Sequence, residues 1–190
     1  RIKVIITPLE IIYLLITTLV VGYLFSGLIK IPNKDPLTSI KRFNFEEFKI
    51  AVLAAAPGVI FHELGHKFVA LAFGLKAVFE IWTTGMIIGI AMKLLNLPLM
   101  LIAPGYVSIS GTSNPYLFSL TAFAGPFINL LLWIIPMLIL DYSKNKYSER
   151  TMTILVMTKE INKWMFLFNM IPIPPLDGSK VLYPLFGALF

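Results

Sequence analysis

The chain has 190 residues, of which 57% are hydrophobic and 14% are charged. Soluble globular domains are about 45–50% apolar and about 25% charged, so this composition is typical of a membrane protein. The length allows one compact domain, residues 1–190, rather than several. The chain has no cysteine, which excludes a disulfide framework and a thiolate metal site. It begins at Arg1 instead of Met, and we expect it to be a processed or trimmed piece of a longer protein.

The net charge of +6 does not indicate a nucleic-acid partner. The basic residues lie mainly between apolar segments and form no patch interleaved with aromatic side chains, which nucleic-acid binding would favour. Lys and Arg are common beside membrane-spanning helices. We therefore expect an integral, multi-pass membrane protein. Its expected partner is the lipid bilayer and not a nucleic acid.

Four stretches predict helices that cross the bilayer, because an apolar helix needs about 20 residues to span the hydrocarbon. They are residues 8–29, 48–73, 116–140 and 151–171. The first contains one acid, Glu10. The second contains Pro57 and Gly58, which should kink or loosen it. Gly74 directly follows the second stretch, as expected of a helix C-cap.

The fourth stretch is the least typical of a membrane span. It is interrupted by four polar residues, Lys159, Glu160, Asn162 and Lys163. Charged groups inside a membrane usually face a protein interior or a wet cavity. The fourth helix is therefore expected either to pack around a wet site or to lie with its first half at the membrane interface.

The region from Leu75 to Gly111 is apolar but interrupted by Gly and Pro, so it is not predicted as one helix. Short runs of β-branched and aromatic residues predict strands at Ile81, Trp82, Ile87, Ile88 and 107–109. Such backbone at membrane depth must be covered by protein or line a wet cavity. The predicted fold class is a membrane all-α bundle of about four transmembrane helices, with a small membrane-associated β region after the second.

The second predicted span contains the sequence His62-Glu63-Leu64-Gly65-His66. Residues four apart lie one above the other on a helix, so the two imidazoles can converge on one ion. Zinc binds imidazole nitrogen, and catalytic zinc sites use three protein ligands and keep one position open. Glu63 adjoins the first histidine and can act as the general base for a water molecule. The pattern H-E-x-x-H is associated with zinc metalloproteases.

The setting of this motif favours a functional site. His62 and His66 are the two histidines of the chain, and both lie well inside an apolar stretch with Glu63 between them. Ionisable groups at that depth are costly and usually functional. The structural alternative is that the imidazoles satisfy each other or neighbouring carbonyls in a packed core.

A third ligand is required, and the residues alone do not identify it. The acids besides Glu63 are Glu10, Asp35, Glu46, Glu47, Glu80, Asp141, Glu149, Glu160 and Asp177. Asp177 follows an apolar stretch within Pro174-Pro175-Leu176-Asp177-Gly178. Asp-Gly pairs are common in turns, and Asp also caps helices, here one beginning near Ser179. A metal ligand and a turn residue are both compatible with this position.

Two blocks of sequence resemble the signatures of the site-2 protease family of intramembrane zinc metalloproteases. That family has H-E-x-x-H in one transmembrane helix, similar to residues 61–66, and N-x-x-P-x-P-x-x-D-G in another. The second pattern matches Asn169-Met170-Ile171-Pro172-Ile173-Pro174-Pro175-Leu176-Asp177-Gly178. A weaker block is Ala124-Gly125-Pro126 with Asn129. The rest of the chain is placed by order and hydropathy alone.

The resemblance implies that His62, His66 and Asp177 bind one zinc ion and that Glu63 is the general base. It also implies that Asn169 hydrogen-bonds the substrate carbonyl or the oxyanion that develops from it, although a cap at the helix end is the other interpretation. The implied activity is an intramembrane zinc-dependent endopeptidase. Its substrate would be a transmembrane protein, cleaved within or near a transmembrane segment.

The family also has a small membrane-embedded sheet after the first motif, which fits residues 75–111 and would lie near the cytosolic side. The basic loops at residues 30–49 and 141–150 favour the opposite orientation, so the orientation stays open. Strand edges in the region are expected to hold an unwound substrate by strand addition, and Gly85→Pro or Gly89→Pro should disturb them. Gly125, Pro126 and Asn129 are expected to shape the third span rather than react.

Two alternatives compete with this interpretation. One is a different class of membrane zinc protease that combines H-E-x-x-H with a distant glutamate, here Glu149 or Glu160, as third ligand. The other is a non-proteolytic membrane protein that binds zinc for transport or structure. The presence of Glu63 between the histidines favours a protease, because neither transport nor structure requires a general base there.

Overall fold

The fold was obtained as a computed structural model, which describes residues 6–26, 44–97, 105–111, 114–142 and 147–186. The elements in chain order are α1 (Pro8–Ser26), α2 (Phe45–Ala72), β1 (Lys76–Ile81), α3 (Thr83–Leu94), β2 (Gly105–Ser110), α4 (Pro115–Tyr142), α5 (Glu149–Asn169) and α6 (Asp177–Phe186). The chain is therefore mostly helical, with a small sheet after the second helix, as the sequence predicts.

Three helices, α1, α2 and α4, are long and apolar enough to cross a membrane. They correspond to the first three predicted spans, although residues 27–29 of the first lie outside the described part of the chain. The prediction of a fourth span is not confirmed. The fourth stretch does form a helix, α5, but its charged residues, including Lys159, Glu160 and Lys163, make it too polar to count as a span.

The predicted β region is confirmed in part. Strands β1 and β2 pair antiparallel, from Lys76 opposite Ser110 to Ile81 opposite Gly105. The strand predictions at Ile81 and at residues 107–109 are therefore correct. Residues 98–104, which precede β2, lie outside the described part.

The strand prediction is wrong for Ile87 and Ile88, which lie in α3, and for Trp82, which is the residue before α3. Both isoleucines are exposed, whereas Gly85 and Gly89 are buried on the inner side of this helix. The preference of β-branched residues for strands depends on packing, and here they cover the outside of a short apolar helix. Because Gly85 and Gly89 are helical, proline substitutions there would not test a strand edge.

Gly74 ends α2, as the sequence predicts, and turns the chain back into β1. Its φ of 76° lies in the left-handed region, where a side chain is strained. The Leu75 N–H donates to the Ala70 carbonyl at 2.9 Å, and the Gly74 N–H donates to the Leu71 carbonyl at 2.9 Å. This pair of bonds is a Schellman motif. Leu75 and Ala77 then pack on Ala70, so β1 begins against the last turn of α2.

Helix α2 is the central element of the bundle. It contacts α1, α4, α5 and both strands, and α4 also contacts α5 and α6. The main apolar core lies among α1, α2 and α5, where Ala51, Ala54 and Ala55 are fully buried and let the helices approach closely. Helix α2 continues through Pro57, and a Cβ at the next residue, Gly58, would lie 2.5 Å from the Asn162 side-chain oxygen.

Replacing Gly74 by alanine should lower the free energy of unfolding by about 1–2 kcal/mol, because the residue at this position is left-handed. Open space surrounds the position of a Cβ there, so steric clash would not contribute. Thermal denaturation in detergent should show a lower Tm for Gly74→Ala. In Gly89→Ala the new Cβ would lie 3.2 Å from the flexible end of the Leu24 side chain, and alanine is favoured over glycine within a helix, so this control should not lower its Tm. An equal Tm for both variants would contradict the assigned C-cap.

Candidate metal centre

Helices α2 and α6 bring three side chains together at one point. His62 and His66 lie one turn apart on α2, and their Nε2 atoms are 3.1 Å from each other. The Asp177 Oδ2 atom is 3.2 Å from the His62 Nε2 and 3.1 Å from the His66 Nε2. Both histidines are buried, and the Asp177 side chain is 13% exposed. Within the described part of the chain, this is the group of residues that could hold a metal ion.

A backbone carbonyl determines which ring nitrogen of His66 carries the hydrogen. Its Nδ1 atom lies 2.8 Å from the carbonyl oxygen of Thr121 in α4. A carbonyl oxygen only accepts hydrogen bonds, so the His66 Nδ1 carries the hydrogen and donates it. The Nε2 of a neutral imidazole then has a lone pair, which points at His62 and Asp177.

A buried amide determines in the same way which ring nitrogen of His62 carries the hydrogen. The His62 Nδ1 lies 2.6 Å from the Asn129 Oδ1. The Asn129 Nδ2 donates to the Gly58 carbonyl at 3.1 Å and to the Asn162 Oδ1 at 2.8 Å. Because its amide nitrogen is engaged by two acceptors, Asn129 turns its oxygen to His62, whose Nδ1 must donate. The His62 Nε2 therefore also has a free lone pair.

The three converging atoms fit a zinc ion. Two imidazole lone pairs and a carboxylate oxygen face one another with no hydrogen assigned between them, an arrangement that is repulsive unless a proton or a metal cation lies between them. Zinc–ligand distances of about 2.0–2.2 Å place the ligands of a tetrahedral site about 3.3–3.6 Å apart. The observed separations are 3.1–3.2 Å. Two histidines and one carboxylate are also a known ligand set of catalytic zinc sites.

Gly125 in α4 keeps the space beside the three atoms open. A Cβ at this position would lie 2.7 Å from the His62 Nε2 and would collide with the His66 ring. The glycine therefore lets α4 approach both imidazoles without a side chain entering the site. The sequence assigned Gly125 to the shape of the helix, and the structure gives it this additional contact.

Glu63 lies between the two histidines in sequence and is buried. Its carboxylate lies near the backbone N–H of Val107 in β2. Glu63 is thus not a member of the triad formed by His62, His66 and Asp177, and its carboxylate lies on the side of the sheet instead. This position beside the triad is compatible with the general base that the sequence predicts.

Asp177 is the first residue of α6, so the two sequence interpretations of this residue are compatible. It begins a helix, and its carboxylate also lies at the histidines. A Cβ at Gly178 would collide with the backbone of Met170, so glycine lets the start of α6 approach the end of α5. The second Asp177 oxygen, Oδ1, is 3.6 Å from the Nζ of Lys180.

The other predicted site residues lie apart from the triad or are untested. Asn169 is the last residue of α5 and is half-buried, and its contact with a substrate stays a prediction. Glu160 forms ion pairs with Lys159 at 3.0 Å and Lys163 at 3.4 Å, with its side chain 42% exposed. The Glu160 carboxylate therefore pairs with two lysines of α5 and is not a member of the triad.

Sequence reasoning did not assign Asn129 and Asn162 to the histidines. Both are fully buried, and they form the amide network that orients His62. The signal that could have found them is the burial cost of an amide in an apolar segment, which requires a hydrogen-bonding partner. The sequence does not show which partner packing will supply.

A curated protein of Methanocaldococcus jannaschii, named "Putative zinc metalloprotease MJ0611", is 36% identical to the chain over 177 residues. The matched region covers 91% of this chain and 83% of that protein. The chain belongs to this zinc metalloprotease family. No family profile and no solved structure matches it. The relative's name suggests zinc, and His62, His66 and Asp177 form a group that could hold such an ion.

Replacing Asn129 by leucine should weaken zinc binding about 10- to 100-fold, because residues that orient a ligand contribute on that scale. The variant removes the acceptor for the His62 Nδ1 and leaves the side chain similar in size. Competition with a chelator, followed by optical or calorimetric titration, measures the change. Leu131→Ala, a partly exposed position of the same helix, is the control and should bind zinc as the wild type does. Equal affinity of both variants would contradict the role of Asn129.

Proposed function

We propose that this metalloprotease is an intramembrane zinc-dependent endopeptidase of the site-2 protease kind. It would be an integral, multi-pass protein of a cellular membrane and would cleave a transmembrane protein within or near its transmembrane segment. The observation that carries the proposal is the triad of His62, His66 and Asp177 with Glu63 beside it. Three of these four residues lie in α2, a helix long and apolar enough to cross a membrane.

His62, His66 and Asp177 would hold the zinc ion. When bound there, zinc supplies a Lewis acid that polarises the peptide carbonyl and lowers the pKa of water. Glu63 accepts a proton from the attacking water as the new C–O bond forms. It then passes this proton to the leaving nitrogen as the C–N bond breaks. Asn169 would donate a hydrogen bond to the carbonyl oxygen as negative charge develops on it.

A helical substrate must unwind before cleavage, because its amides are otherwise protected by internal hydrogen bonds. Strand β2 supplies an edge on which an extended substrate could pair. Phe79 faces Val107 in the β1–β2 register, and the Phe79 N–H points away from β2 to the Glu10 carboxylate. The two residues therefore form a pair without mutual hydrogen bonds, and the Val107 N–H also points out of the hairpin.

This outward edge of β2 lies on the side of α2 that carries Glu63, since the Val107 N–H lies near the Glu63 carboxylate. A substrate strand added along β2 would be held by main-chain hydrogen bonds, with pockets for alternate side chains giving specificity. The edge would thus deliver an unwound peptide bond next to Glu63. A strand edge beside Glu63 therefore favours proteolysis over a site that only binds a metal.

The two alternatives account for less of the structure. A zinc protease with a glutamate as third ligand would need Glu149 or Glu160, but Glu160 pairs with lysines and Asp177 lies at the histidines. A zinc transporter or structural zinc protein gives no reason for a buried carboxylate at Glu63 beside a strand edge. Endopeptidase activity uses both features.

Replacing Glu63 by glutamine should reduce turnover about 100- to 10,000-fold, because general-base catalysis contributes on that scale. Zinc content should stay at the wild-type level, since Glu63 is not in the triad. Cleavage of a fluorogenic peptide containing an apolar transmembrane segment, in proteoliposomes, measures turnover. Glu80→Gln on β1 is the matched control, because Glu80 accepts a bond from the Tyr106 hydroxyl at 2.8 Å away from the triad. Unchanged turnover in Glu63→Gln would contradict the role of Glu63 as the general base, whereas a wild type without turnover would favour the non-proteolytic alternative.

A further inference from the structure

A buried ion pair joins α1 to α2, and the proposed reaction does not use it. The Lys67 Nζ contacts the Glu10 Oε1, and the two side chains are only 4% and 3% exposed. Both residues lie in helices that are long and apolar enough to span a membrane. Charges in such places carry a large desolvation cost and are usually functional. A purely apolar contact could join two helices at lower cost.

The Glu10 carboxylate has a further partner in the sheet. Its Oε1 atom also accepts a hydrogen bond from the Phe79 N–H at 2.8 Å. Its Oε2 atom accepts from the Thr7 N–H at 2.8 Å and from the Thr7 hydroxyl at 3.1 Å. One carboxylate thus connects α1, α2 and the outer edge of β1, and the Phe79 side chain is itself 2% exposed.

These contacts connect back to Glu63 through the sheet. Lys67 lies four residues after Glu63, so the two side chains are on the same face of α2. From Lys67 the path runs through Glu10 to Phe79, then across the register to Val107, whose N–H lies near Glu63. One edge of the hairpin is therefore bonded to Glu10, the partner of Lys67, and the opposite edge lies beside Glu63, one turn earlier on α2.

The apolar contacts of the hairpin with α2 are small by comparison. The local cluster consists of Ala70, Leu75 and Ala77, with Leu71, Val107 and Ile109 packed on it. Apolar contact is non-directional, so it allows a two-stranded hairpin to slide along a helix. The directional bonds of the Glu10 carboxylate oppose such sliding.

We propose that Glu10 is a positioning residue for the proteolysis, and that Lys67 balances the buried charge of its carboxylate. Glu10 clamps the β1–β2 hairpin at the height on α2 where the outer edge of β2 lies beside Glu63. It does not touch the reacting atoms, and it acts on the substrate through the strand that binds it. This inference rests on the proposed function, in which β2 holds the unwound substrate.

Two double variants test the clamp without leaving a buried charge unpaired. Glu10→Gln/Lys67→Met removes both charges but keeps a side-chain oxygen that can accept from the Phe79 N–H. Glu10→Leu/Lys67→Met removes the charges and the acceptor. The comparison isolates the acceptor at position 10, because both variants lose the same ion pair, and amide exchange of residues 76–81 reports the bond to the sheet. The measurements are zinc per chain, amide hydrogen exchange of residues 76–81, and kcat and KM for the fluorogenic transmembrane peptide in proteoliposomes.

In the Leu/Met variant, KM should rise about tenfold and kcat should change less than about threefold, since the loss of one hydrogen bond to a charged group has effects of that size. Amide exchange in residues 76–81 should become faster, while zinc content stays at the wild-type level. In the Gln/Met variant, KM and amide exchange should stay close to wild type. A merely structural role would not separate KM from kcat in this way.

Three results would overturn the inference. They are equal KM values in the two double variants, unchanged amide exchange in the Leu/Met variant, and loss of zinc from that variant, which would show that the pair holds α2 itself. The proposed function fails separately, if the wild-type protein cleaves none of the transmembrane peptide. In that case the proposed role of Glu10 in proteolysis is also contradicted. Amide exchange of residues 76–81 then shows by itself whether Glu10 clamps the hairpin.

Discussion

The structure depends on the convergence of three acceptor atoms in a buried place. The Nε2 atoms of His62 and His66 and the Oδ2 atom of Asp177 lie 3.1–3.2 Å apart, and their lone pairs face one another. A divalent cation held by these atoms would replace their mutual repulsion with three bonds. Gly125 lets α4 approach both imidazoles closely. Gly178 lets the start of α6, which carries Asp177, approach the end of α5.

Polar contacts between helices complete the arrangement. Helix faces that are apolar toward both lipid and protein give little directional preference, so small residues and hydrogen bonds decide how such helices pack. Asn129 and Asn162 connect α4 and α5 to His62, and Glu10 connects α1 to Lys67 and to the sheet. Among the buried side-chain atoms that the structure describes, the Thr17 hydroxyl is the one without a partner.

The sequence predicts those features that depend on local spacing. The four-residue spacing of His62 and His66, the span-length apolar runs and the left-handed glycine at Gly74 each follow from the geometry of a single helix. The strand prediction failed at Ile87 and Ile88 because β propensity depends on packing partners. The apolar length of the fourth stretch predicts a span, which is not confirmed, because its charged residues lower the hydropathy of α5.

The site was less predictable than the helices, because its members come from distant parts of the chain. Spacing alone left Asp177 as a ligand or a turn residue, and the resemblance to a known family favoured the ligand. The structure places Asp177 both at the start of a helix and in the group that could hold a metal ion. The contact of Asn129 with His62 needs the packing of α4 on α2, which no local pattern contains.

The most direct test of a zinc centre is the zinc content per chain of protein purified in detergent, measured for the wild type, Asp177→Ala and Glu160→Gln. About one zinc per chain is expected for the wild type and for Glu160→Gln, and clear loss is expected for Asp177→Ala, because three protein ligands hold a catalytic zinc. Zinc retained without Asp177 would contradict the third ligand. A wild type that binds no zinc, even after reconstitution, would contradict the metal centre itself.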